Sequence, residues 1–114
     1  MADFSDIETD LRWKDLLVNL RKIFTDIEDL KDIIFLVGVQ ELGKGYQSFS
    51  KSEKIDVMHI GVCRLLSIYG YYSYSGADKE GWPHWDNITP LPHLSESEKD
   101  LLLKQAVIEY FNKS

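Results

Sequence analysis

At 114 residues and 44% hydrophobic composition the chain predicts one globular domain, burying roughly two-thirds of the surface its unfolded form exposes, which argues against general disorder. A formal charge of −6 disfavours phosphate backbones and anionic lipid, so nucleic acid and membrane are not the expected partners. The single cysteine, Cys63, excludes an internal disulfide. With an acidic N-terminus lacking a signal-peptide core and no apolar run long enough for a bilayer, it points to a cytoplasmic protein.

In chain order, Met1–Glu8 reads as a frayed acidic lead-in, and Thr9 or Asp10 as the cap of a first helix running to about Thr25. Trp13, Leu16, Leu17, Leu20, Ile23 and Phe24 form its apolar face, with Trp13 as a core or interface anchor. The acids Asp26–Asp29 suit the start of a second helix. Ile33–Val39 has the composition of a buried strand, but the spacing of Leu30, Ile33, Ile34, Val37 and Leu42, and the length of the segment, favour a helix from about Glu28 to Leu42. Gly43–Ser50 is loop-like.

Ser52–Tyr69 is the predicted centre of the fold, with Ser52 as N-cap and Gly70 as terminator. Ile55, Met58, Val62, Leu65, Leu66 and Tyr69 share one face; Val57, Ile60 and Ile68 form a second strip nearly opposite, so the helix should be enclosed on two sides. Gly38 and Gly61 would both be mid-helix glycines, each costing about 1 kcal/mol relative to alanine. A close crossing of the two helices at these glycines would account for that cost.

Beyond Gly70, Tyr71–Ser75 and Gly81–Ile88 flank a turn-like segment and predict a β-hairpin, with Pro83 confining the second arm to an edge. Thr89–Leu94 is an extended connector. Ser95 and Glu98 form a capping box for a last helix to about Asn112, with Leu101, Leu102, Ile108 and Phe111 as apolar contacts. The expected fold is mainly α: about four helices packed around the buried helix 52–69, with a β-hairpin at about 71–88.

Several residue sets could carry chemistry. Gly38–Lys44 fits G-x-x-x-x-G-K, but Gly45 stands where a magnesium-binding Ser or Thr is needed and Glu41 would lie in the anion cradle, so a capped helix end is the better reading. Asp56, His59 and Cys63 fall on one side of the central helix; a thiol beside a histidine is a possible nucleophile or zinc ligand pair, with Glu41 as a possible partner of His59. Against this, the remaining histidines, His84 and His93, have no paired ligand spacing, and a core-bordering His59 with Cys63 as apolar filler explains both residues. Neither metal nor cofactor is expected. The segment Tyr69–Trp85 holds six of the fourteen aromatic residues with few cations between them, which favours a protein surface over a base-stacking platform. Three helices followed by a hairpin also suggest a winged helix–turn–helix with Lys44, Lys51, Lys54 and Arg64 as cations, but two apolar faces on the central helix oppose groove reading.

The segments GVQELGKG, MHIGVCRLL and GWPHW resemble a small bacterial family of uncharacterised proteins, over the chain from about Asp32 onward. The resemblance implies a bacterial cytoplasmic protein and brings no activity or site. The leading expectation is a non-enzymatic interaction module, self-associating or docking a protein partner through the aromatic hairpin, with Trp13, Tyr72, Tyr74, Trp82 and Trp85 as interface residues. The alternatives are a small enzyme or ligand-binding protein using Glu41, His59 and Cys63, and, third, a winged-helix-like DNA-binding protein.

Overall fold

The computed structural model describes residues 4–45 and 47–112. Its elements are α1 (Phe4–Arg21), α2 (Leu30–Leu42), α3 (Lys51–Ser67), β1 (Tyr72–Ala77), β2 (Pro83–Asn87) and α4 (Glu96–Asn112). The architecture is therefore mainly α with one antiparallel hairpin, as the sequence pattern predicts.

The element ends depart from expectation for local reasons. Of the predicted frayed lead-in, Met1–Asp3 lie outside the described residues, and the chain is helical from Phe4. Thr9 is buried inside α1 and is no cap: its hydroxyl accepts a bond from Gln105 Nε2 of α4 at 3.3 Å. The Ile33–Val39 ambiguity resolves as helix, because Asp29 and Asp32 form a reciprocal capping box and Gly43 closes the other end at φ 73°. Arg21 braces the intervening turn by donating to the Ile27 and Glu28 carbonyls at 2.9 and 2.8 Å. The cap of α3 is Ser50, not Ser52: the Ser50 hydroxyl accepts from the Glu53 amide, and the Glu53 carboxylate accepts from the Ser50 amide at 2.8 Å. The box expected at Ser95 and Glu98 forms with the same reciprocity.

The central helix is enclosed on both sides, and each side serves a different core. Leu65 enters the main cluster with Trp13, Leu20, Ile33, Val37, Ala106 and Val107. Val57 enters a second cluster with Val39 and Leu42, covered by Phe35, Phe49 and Trp82. Three residues expected on apolar helix faces fall outside the core: Ile23 follows the end of α1 at Arg21 and is 72% exposed, Ile55 lies in the opening turns of α3 and is 69% exposed, and Tyr69 follows the helix end at Ser67 and is 39% exposed.

α2 and α3 meet through their glycines. A Cβ on Gly38 would lie 2.1 Å from the Val57 carbonyl oxygen, and one on Gly61 would lie 2.2 Å from the Ile34 carbonyl oxygen. Only hydrogen fits in either place, which is the packing reason that two mid-helix glycines require.

In the hairpin, Tyr72 pairs with Asn87, Ser73 with Asp86 and Tyr74 with Trp85 before the register shifts, after which Gly76 pairs with His84 and Ala77 with Pro83. Gly76 at φ 114° accommodates the irregularity. The connecting turn is organised by Asp78, whose Oδ1 accepts the amides of Glu80 and Trp82 at 2.9 and 3.0 Å. Lys44 Nζ reaches across to the Glu80 carbonyl and lies 5.9 Å from the Trp82 ring centroid, tying the turn to the α2–α3 loop.

Candidate functional site: a cleft between the central helix and the hairpin

The three residues expected to converge divide into two unconnected sets. His59 and Cys63 do meet, Nε2 to Sγ at 3.4 Å, as their helical spacing requires. Cys63 is fully buried, and desolvation pushes its thiol pKa up to about 11, which opposes thiolate formation. Glu41 is not the partner of His59. Its carboxylate accepts from Tyr110 Oη at 2.8 Å and pairs with Arg64 Nε at 3.4 Å, while the guanidinium lies 5.1 Å from the Tyr110 ring centroid. The Glu41–Arg64–Tyr110 set links α2, α3 and α4, so its evident role is to hold the bundle. Tyr110 resists ionisation chiefly because burial penalises the phenolate, and secondarily because it donates to Glu41.

The aromatic candidates also separate. Trp13 is 6% exposed in the main core, with Lys104 Nζ 5.5 Å from its ring centroid, so it presents little surface to a partner. Trp82 is half-buried against the second core. Tyr74 and Trp85 form a cross-strand edge-to-face pair at 5.5 Å, with Tyr74 56% exposed; Tyr72 is half-buried two pairs further along. The G-x-x-x-x-G-K match is no phosphate cradle, because Gly38 and Glu41 are inside α2, Gly43 caps it and Lys44 is engaged by Glu80.

Where the hairpin stands on α3, an open cleft of about 410 Å³ is lined by Glu53, Asp56, His59 and Ile60 from the helix and by residues of the turn and β2. From the hairpin come Asp78, Glu80, Trp82, Pro83, His84 and Trp85. Four carboxylates and two indoles thus share a lining with no lysine or arginine. Glu53 is committed to its cap and Asp78 to the turn, where it also pairs with His84 Nε2 at 3.0 Å. Among the described residues, the carboxylates of Asp56 and Glu80 have no cationic partner. The Trp85 indole N–H is withdrawn from solvent with no acceptor among the described residues.

Asp56 and His59 were legible from their spacing as neighbours on one side of α3. Asp78, Glu80 and His84 were not, because only the docking of the turn on α3 brings them there. Among the described residues no group of three or more His, Cys, Asp or Glu side chains is placed to hold a metal ion, and no helix is long and apolar enough to cross a membrane. Comparison with family models, curated proteins and solved structures finds no match to this chain.

Proposed function

We propose that this protein is a non-enzymatic, cytoplasmic binding module that docks a basic segment of a partner protein into the cleft between α3 and the hairpin. The observation that carries the reading is the pairing of two indoles with the unneutralised carboxylates of Asp56 and Glu80 in a cleft whose lining includes no lysine or arginine. A lysine or arginine side chain can set its charge between the acids and its stem or guanidinium against an indole. The Lys44 contact to Trp82 is an internal example of that pairing. Hot spots of protein interfaces favour such aromatic and arginine anchors.

The alternative of a thiol enzyme has less support, since Glu41 is held by Arg64 and Tyr110 and the Cys63 thiol is buried and hard to ionise. Burial of Val57, Ile60, Leu65 and Leu66 argues against α3 as a groove-reading helix.

The test is titration with short lysine- and arginine-rich peptides, followed by tryptophan fluorescence and calorimetry, against an acidic peptide of equal length. Saturable binding that weakens with salt and is lost in Asp56→Lys supports the reading. Absence of binding, or equal binding by Asp56→Lys, overturns it.

A further inference from the structure

The turn of the hairpin is tied to the helices at one polar point. Within residues 78–82 the chain bonds to itself: Asp78 Oδ1 accepts the Glu80 and Trp82 amides, and the Asp78 amide donates to the Trp82 carbonyl at 2.9 Å. Among the described residues, the bond from Lys44 Nζ to the Glu80 carbonyl is the only hydrogen bond that joins this turn to the helical body. The ammonium also lies 5.9 Å from the Trp82 ring centroid, and a Cβ on Gly81 would meet Lys44 Cε at 3.5 Å and Nζ at 3.7 Å. Lys44 thus crosses the turn at Glu80, Gly81 and Trp82. Its own backbone is fixed, because it follows Gly43, whose amide closes α2 on the Val39 carbonyl. The other attachment of the turn is apolar, Trp82 against Val39, Leu42 and Val57. Lys44 is not among the residues that line the cleft, so it acts on the hairpin wall from outside.

We propose that Lys44 is the positioning residue of the cleft. It straps the turn to the end of α2 and so keeps Glu80 and Trp82 across from Asp56 and His59 while the cleft is empty. The inference rests on the cleft being the binding site for a basic segment. Only molecules with the turn docked present both free carboxylates and the Trp82 indole together, so the docked fraction scales the apparent affinity. This role has a distinctive sign. As a charge alone, Lys44 repels a cationic peptide, and its removal would tighten binding. As a strap, its removal must weaken binding, because association then has to order the turn as well.

Lys44→Met keeps the aliphatic stem and removes the charge and the donor. In the free variant, NMR should show weaker contacts between the Trp82 ring and the methyl groups of Val39, Leu42 and Val57. Helical circular dichroism and melting should stay unchanged, the side chain being exposed. Calorimetric titration with a lysine-rich peptide should give a dissociation constant about fivefold above the parent's, as follows if the docked fraction falls to about one-fifth. Lys44→Arg, which keeps the charge and the donors, should restore both readouts. Binding by Lys44→Met as tight as the parent's, or tighter, overturns the strap and leaves the cleft reading standing. Weaker binding with the Trp82 contacts unchanged does the same, as does failure of Lys44→Arg to restore them. A parent that binds no basic peptide overturns the cleft reading, and the proposal with it.

Discussion

Gly38 and Gly61 occupy equivalent places at the α2–α3 crossing: each faces the carbonyl that lies four residues before the other glycine in its own helix. In an α-helix that carbonyl accepts the amide of the residue four ahead, so each glycine packs against the hydrogen bond of the other's turn. Glu41 and Arg64 each lie three residues past a crossing glycine, and they meet as an ion pair. The close approach of the two backbones therefore also sets the spacing of the polar set that recruits Tyr110 from α4.

Alanine at either glycine should destabilise the protein, although at an exposed helical site the same change would stabilise by about 1 kcal/mol. The new methyl would meet a backbone oxygen at 2.1 or 2.2 Å, which no side-chain rotation relieves, so the helices must separate. The expected net loss for Gly38→Ala or Gly61→Ala is about 2 kcal/mol in urea denaturation, with Gly61→Leu worse. Equal or greater stability than the parent would contradict the crossing.

That crossing was legible because a mid-helix glycine is costly and so calls for a close neighbour. The helical nature of Leu30–Leu42 was legible from length and spacing, and the α4 cap from Ser95 and Glu98. The Ser50–Glu53 box was equally present in the sequence but hidden by Ser52, a competing cap two residues on. The exposure of Ile55 was not legible, since periodicity gives a face and not the reach of the neighbouring elements. Nor was the partner of Glu41: Tyr110 is 69 residues away, and its approach depends on how α4 settles on α3. The cleft is illegible for the same reason, being a product of where the hairpin stands.

Tyr110→Phe should cost about 1.5 kcal/mol, the typical loss when a donor to a carboxylate is removed. The parent should also lose stability at alkaline pH. The folded-state pKa of Tyr110 is raised above the ordinary 10.0, first by burial and then by Glu41, so its contribution is complete below that value and declines as pH rises beyond it. Urea midpoints measured from pH 8 to 11.5 should fall more steeply for the parent than for Tyr110→Phe; parallel curves would remove Tyr110 as the cause.

At the other end of the pH scale, Asp78 should govern the hairpin turn. Its carboxyl pKa is held below the ordinary 3.8, first by the bond with His84 and then by the Trp82 amide. A depressed folded-state pKa means that the contribution is present above the ordinary value and is lost as pH falls through the lower folded one. Tryptophan fluorescence should therefore report loosening of the turn below pH 3.8 before the far-UV helical signal is lost. Asp78→Asn should shift or abolish that early step, and an unchanged step would assign it elsewhere.

Cys63 separates a binding module from a thiol enzyme most directly. The side chain is fully buried, and desolvation places its pKa at about 11, so at pH 7 the thiolate is scarce and access requires opening of the fold. The 3.4 Å contact with His59 would activate it only if a protonated imidazole stabilised the thiolate enough to outweigh that burial. Native protein should therefore react with a disulfide reagent at neutral pH far more slowly than a free thiol, by about a hundredfold or more, the rate tracking the population of opened molecules. In urea the reaction should become immediate and stoichiometric at one thiol per chain. Rapid labelling of the native protein, slowed by His59→Ala, would instead show an activated pair and favour the enzymatic alternative over the cleft.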